Sequence, residues 1–164
     1  MFQEAFVKAR MNNIGVAYEN APSFQASAIP SWRALAETSR KWASRVRRAI
    51  TVLETSESEP YFTASAMLED ISKNKTLIVS TANCDHPLWT PRENVDFRIV
   101  HDFFGHHSAQ SDFSWEGEVS ACFEHARELP NECLPALFTE CIGQVARRYV
   151  YGSFGEQKIC LLDF

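Results

Sequence analysis

The chain has no long apolar run. Its strongest hydrophobic stretches, TLIV at 76–79 and ICLL at 159–162, stop after a few residues, far short of the roughly 20 needed to cross a bilayer. That argues against a membrane partner. The opening MFQEAFVKARMNN contains an early acid and no continuous apolar core, so it does not read as a secretory signal. No CxxC is present. The five cysteines (Cys84, Cys122, Cys133, Cys141, Cys160) are odd in number, which fits packed free thiols in a reducing, cytoplasmic compartment better than a disulfide framework. Positive charge is in deficit, with 16 Lys and Arg against 21 Asp and Glu and a net charge of -5, which disfavours a nucleic-acid partner. The local exception, Arg40, Lys41, Arg45, Arg47 and Arg48, has no interleaved aromatic series and reads as a solvated helix face. Internal repeats and low-complexity tracts are also absent.

What is present is ordinary globular composition: 164 residues, 45% hydrophobic and 23% charged, enough for one domain, 1–164, with one core. Residues 1–30 hold turn formers without a clear period and read as an irregular arm. Residues 31–90 form a helix and small-sheet half. Ser31 precedes a long amphipathic run in which Trp32, Leu35, Ala36, Trp42, Val46 and Ile50 share a broad stripe. Thr63 or Ser65 can cap a short helix through Met67, Leu68 and Ile71. TLIVST at 76–81 is the best strand, and ITVLE at 50–54 is either its partner or the last turn of the long helix.

Residues 91–164 form a helical half. Thr90 and Pro91 start a helix to about His106, since a hydroxyl caps free N–H groups and proline suits the first turn. Ser114 opens a second, weakened by Gly117, to about Leu129. A third runs from about Leu134 to Gly152. The fold class is therefore α+β, mainly α-helical, with helices packed around a metal site and a small two- or three-stranded sheet.

Four of the five histidines lie between residues 86 and 107, and His101, His106 and His107 fall in the single string HDFFGHH. Two imidazoles and a carboxylate so close together suit a divalent metal. His101 and His106 are five apart, about 140° around an ideal helix, so one regular face cannot present both. Either the helix ends or widens at Gly105, bringing His106 back toward His101, or Asp102 and His106 form the facing i, i+4 pair. Glu140, in LFTECIGQ, is flanked by apolar residues and drawn inward as a third ligand, because a buried carboxylate needs a cation or donors. Gln144, one turn on, can orient a ligand or a water. Glu118 is a base standing behind the ligands or an alternative ligand. It also lines up with Cys122 and His125 at i, i+4 and i+7, a stripe that reads either as ligands or as a polar flank over a buried cysteine. Glu156, Gln157 and Lys158 read as a solvated turn.

HDFFGH, followed downstream by FTEC and then a glycine, resembles the metal-binding core of the pterin-dependent aromatic amino acid hydroxylases. The resemblance implies His101 and His106 as the two histidine ligands and Glu140 as the carboxylate, with Thr90-Pro91 matching the family's upstream threonine-proline. It implies one iron(II) on a two-histidine, one-carboxylate face. The match is partial, the interval from His106 to Glu140 is shorter than in that family, and Asp102 stands where the family has glutamate. The whole chain also looks similar to small uncharacterised phage and bacterial proteins that share an HDxFGH string, a downstream GE, a TE and a terminal EQK.

The expectation is a mononuclear metal-dependent enzyme acting on a small molecule, with metal ligands His101, His106 and Glu140 and with Asp102, Glu118 and Gln144 as catalytic candidates. Iron(II) and oxygenase or hydroxylase chemistry come first. The alternatives are a zinc(II)- or manganese-dependent hydrolase, for which the HD dipeptide at 101–102 and an upstream His86 speak, and a non-enzymatic phage or bacterial binding protein in which the same residues form a buried polar network.

Overall fold

The computed structural model describes residues 2–162, with side chains from Ala5; Met1, Asp163 and Phe164 lie outside the described residues. Helix α1 covers Phe2–Asn20 and α2 Ile29–Ala49, followed by strand β1, Thr51–Thr55. A crossover containing α3, Ala64–Glu69, leads to β2, Thr76–Ser80. Then come α4 (Pro91–Val100), α5 (Trp115–Arg127), α6 (Leu134–Phe138) and α7 (Gln144–Tyr151). Three helices widen into π turns at their C-terminal ends, α3 at Asp70–Asn74, α4 at His101–His107 and α6 at Thr139–Gly143. The last leads straight into α7. The fold is thus mainly helical, α+β, with one two-stranded parallel sheet in which Thr51 pairs with Thr76 and Thr55 with Ser80.

Local chemistry explains the helix starts. Thr63 accepts from the Ala66 N–H, Ser114 accepts from the Gly117 N–H, and Thr90 forms a full capping box with Glu93. Each side chain satisfies an N–H that the first turn leaves without a partner. Gly117 is a requirement and not a flaw, because a Cβ there would lie 2.2 Å from the Asp112 carbonyl oxygen.

The N-terminal segment is not an irregular arm. Val7, Met11, Ile14 and Tyr18 form a helical stripe that α1 lays against the core, and Gly15 lets the backbone of α7 come close, a Cβ there falling 2.8 Å from the Ala146 carbonyl oxygen. Phe6 and Val16 are exposed, and these apolar residues off the stripe hide its period in the sequence.

The terminal GEQK is not a solvated turn either. Lys158 is buried and donates to the Glu19 and Ala21 carbonyls at 2.8 and 2.6 Å, which caps the C-terminal end of α1 with a cation. The Tyr18 hydroxyl donates to the Glu156 carbonyl at 3.0 Å.

Two apolar clusters make the core. One gathers Trp32, Leu35, Trp89, Phe97, Leu137 and Ile142; the other gathers Val46, Met67, Ile71, Leu77, Val79 and Ile99. Helices α2 and α4 contribute to both and so join them. The basic run on α2 is partly consumed internally: Arg47 pairs with Asp96 at 2.6 Å and with Glu54 at 3.3 Å, Lys41 pairs with Glu37, and Arg45 stacks over Trp42. Among the described residues, no helix is long and apolar enough to cross a membrane.

Candidate metal centre

The five-residue spacing of His101 and His106 is resolved by the π turn. A π turn closes i→i+5 hydrogen bonds, so residues five apart stack on one face, and the two imidazole centroids stand 5.0 Å apart. Gly105 permits this by its packing. Helix α5 passes so close that a Cβ on Gly105 would lie 2.9 Å from the Ala121 carbonyl oxygen. That approach brings Glu118, one turn before Ala121, to both rings: its Oε2 lies 3.5 Å from His101 Nε2 and 3.4 Å from His106 Nε2.

The three side chains offer ligand atoms that all lie within 4.8 Å of one another and could hold a divalent metal ion. Ligand bonds of about 2.1 Å at a tetrahedral angle place neighbouring ligand atoms ~3.4 Å apart. The observed separations fit that edge and exceed the 2.7–3.2 Å range of a good N–H···O bond. Ser111 Oγ, 3.1 Å from His106 Nδ1, fixes the ring from behind, as partners of metal-ligating imidazoles commonly do.

Burial would push the Glu118 carboxyl up, but the two imidazoles against it outweigh that and hold it at about 2. Burial likewise works to lower His106, yet the Glu118 carboxylate, helped by Asp102, raises it above the ordinary imidazole value. Asp102 lines the same cleft, and burial holds its carboxyl above the usual range. The cleft, about 1430 Å³, is bordered by His101, Asp102, His106, Glu118, Glu140 and Gln144.

All six predicted residues therefore share one cleft, but the carboxylate beside the histidine pair is Glu118 and not Glu140. Glu140 is already supplied with donors: Trp32 Nε1 at 2.9 Å and His86 Nε2 at 3.2 Å reach its Oε1, and Gln144 Nε2 donates to its Oε2 at 2.6 Å. Gln144 accordingly orients Glu140 and does not serve the histidine pair. His86 accepts the Leu88 and Trp89 N–H groups on Nδ1, which leaves Nε2 as the protonated nitrogen facing Glu140. It is thereby occupied and unsuited to a phosphohydrolase-type ligand role. His107 turns away to Ser72 Oγ, 3.2 Å from its Nε2.

A second group was not read from the sequence, which aligned His125 only with Glu118 and Cys122. His125, fully buried, places Nδ1 3.4 Å from His101 Nδ1, and Cys141 Sγ lies 3.5 Å from the same nitrogen. The i, i+7 spacing of Glu118 and His125 was the available signal: the two ends of that stripe face opposite nitrogens of one ring.

No family model matches the chain, nor does any curated protein or solved structure.

Proposed function

We propose that this chain is a mononuclear metal-dependent enzyme acting on a small molecule, with the cation held by Nε2 of His101, Nε2 of His106 and Oε2 of Glu118. The observation that carries this reading is the convergence of those three atoms at ligand–ligand separations on the wall of a cleft. Two histidines and one carboxylate with room for further ligands is the donor set of non-haem iron(II) oxygenases, so iron(II) is the favoured metal, in line with the resemblance of HDFFGH to the aromatic amino acid hydroxylases. When bound, iron(II) would supply open coordination positions for dioxygen and substrate. The chain's own residues would do the rest. Ser111 holds the His106 ring, α5 sets the height of Glu118, and Asp102 stands on the cleft wall as the acid that burial inclines to hold a proton.

The same donors fit zinc(II), which would direct the site to hydrolysis by activating water. Metal identity separates the two. Protein purified without chelator should carry close to one equivalent of iron, lost from the His101→Ala, His106→Ala double variant, and should consume dioxygen with its substrate. One equivalent of zinc that is lost in Glu118→Gln, with no oxygen uptake, would make it a hydrolase. No metal under any purification condition would leave a buried polar network and no enzyme.

A further inference from the structure

We propose that His101 Nδ1, His125 Nδ1 and Cys141 Sγ form a second metal site, an inner pocket of two nitrogens and one sulfur for a thiophilic cation of the zinc(II) or cobalt(II) class. The three ligand atoms lie within 4.8 Å of one another. For metal–nitrogen bonds of about 2.05 Å and a metal–sulfur bond of about 2.3 Å at tetrahedral angles, neighbouring atoms are ~3.4 Å apart for two nitrogens and ~3.6 Å for nitrogen and sulfur. The structure has 3.4 Å between His101 and His125, and 3.5 Å between His101 and Cys141.

The surroundings support a ligand role. His125 is fully buried, and its Nε2 has no hydrogen-bond partner among the described residues. A metal on Nδ1 leaves that Nε2 protonated and does not satisfy it, so the ligand role rests on Nδ1, which faces His101 and Cys141. Phe97 stacks on the His101 ring and tilts against His125 at centroid distances of 6.1 and 5.7 Å, holding both planes. The pocket is built from three separate pieces of chain, the π turns that end α4 and α6 and helix α5, which fixes its shape. Coordination releases the Cys141 thiol proton to solvent, so the thiolate offsets part of the buried positive charge.

Thiolate in the donor set selects softer metals, whereas the outer set of two imidazoles and a carboxylate suits iron(II) and manganese(II). A neutral imidazole has one free lone pair, so cobalt(II) on Nδ1 withdraws His101 from the outer site. The inner proposal does not rest on the enzyme reading, although both use this ring.

The test is an anaerobic cobalt(II) titration of the reduced full chain, beside Glu118→Gln and Cys141→Ser, with manganese(II) titrated separately. Near-ultraviolet sulfur-to-cobalt absorption is expected in the native chain and in Glu118→Gln, and absent from Cys141→Ser. His125→Gln, checked for folding by circular dichroism, provides a second arm and should weaken cobalt(II) binding at least tenfold. A native chain without the sulfur band overturns the inner site, and so does a band that survives Cys141→Ser at full intensity. Manganese(II) reports the outer site alone: its binding should survive Cys141→Ser and be lost in Glu118→Gln. Failure of that pattern leaves the cobalt result standing, so the two readings fail separately.

Discussion

Glu118 and Glu140 border the same cleft, sit on adjacent helical rods and are both withdrawn from solvent, yet they are settled in different ways. Glu140 receives three donors from α2, the loop before α4 and α7, at 2.6 to 3.2 Å. Glu118 meets two imidazoles at 3.4 and 3.5 Å, too long to close tight hydrogen bonds and wide enough for a cation. A buried carboxylate needs compensation; whether neutral donors provide it decides whether the group is a cross-link or a ligand.

The comparison breaks most visibly in stability. Glu140→Ala strips three buried donors of their acceptor and should cost about 3 kcal/mol or more in urea unfolding of the metal-free protein. Glu118→Ala should cost clearly less, since no donor closes a short hydrogen bond on its Oε2, the two imidazoles standing 3.4 and 3.5 Å away. Equal losses would mean that Glu118 is also a cross-link.

The pH dependence sharpens the contrast. Folding holds Glu118 at about 2, below its ordinary 4.5, so its contribution is present above pH 4.5 and is lost as pH falls from there toward 2. Folding raises His106 above its ordinary 6.5, so its contribution is full below pH 6.5 and is lost as pH rises through the raised value. The stability difference between the native chain and Glu118→Gln should therefore be greatest between pH 4.5 and 6.5, on the order of 2 kcal/mol, and decline on both sides. Unfolding midpoints measured from pH 3 to 8 would show this; a difference that rises steadily to pH 8 contradicts the pairing.

Gly105 tests how the pair is assembled. Gly105→Ala sets a Cβ against the Ala121 carbonyl and should cost about 1–2 kcal/mol, while moving α5 off the π turn and weakening manganese(II) binding. Unaltered metal affinity in a destabilised Gly105→Ala would show that the contact serves folding alone. The smallest effect is expected at Glu156, which accepts from Ser23 Oγ and belongs to neither candidate ligand group: Glu156→Ala should leave manganese(II) affinity unchanged in the same titration.

Much of the helical frame was legible because its signals are local. Thr90-Pro91, Ser114 and Thr63 mark their helix starts by hydroxyl chemistry, and TLIV reads as a strand by composition. Helix α1 was hidden because Phe6 and Val16 place apolar surface off the buried stripe. At the site, the five-residue spacing around Gly105 allowed either a histidine pair on a helix that ends or widens there or an Asp102–His106 pair, and the π turn brings the two histidines together. The carboxylate did not follow. Glu140 is inward-facing as its apolar neighbours imply, but the donors that satisfy it come from Trp32 and His86, distant in sequence, and inward direction alone cannot tell a ligand from a cross-link. Glu118 reaches the histidines because α5 packs on Gly105, a contact between helices that no single-helix pattern contains.

The most direct measurement is manganese(II) affinity, by competition titration at pH 7.5, for the native chain, Glu118→Gln and Glu140→Gln, each confirmed to be folded. If Glu118 is the ligand and Glu140 the cross-link, Glu118→Gln loses at least ~100-fold, while Glu140→Gln stays within or below the roughly 10–100-fold range expected of groups that only support ligands. The opposite order, or equal losses, would contradict the assignment.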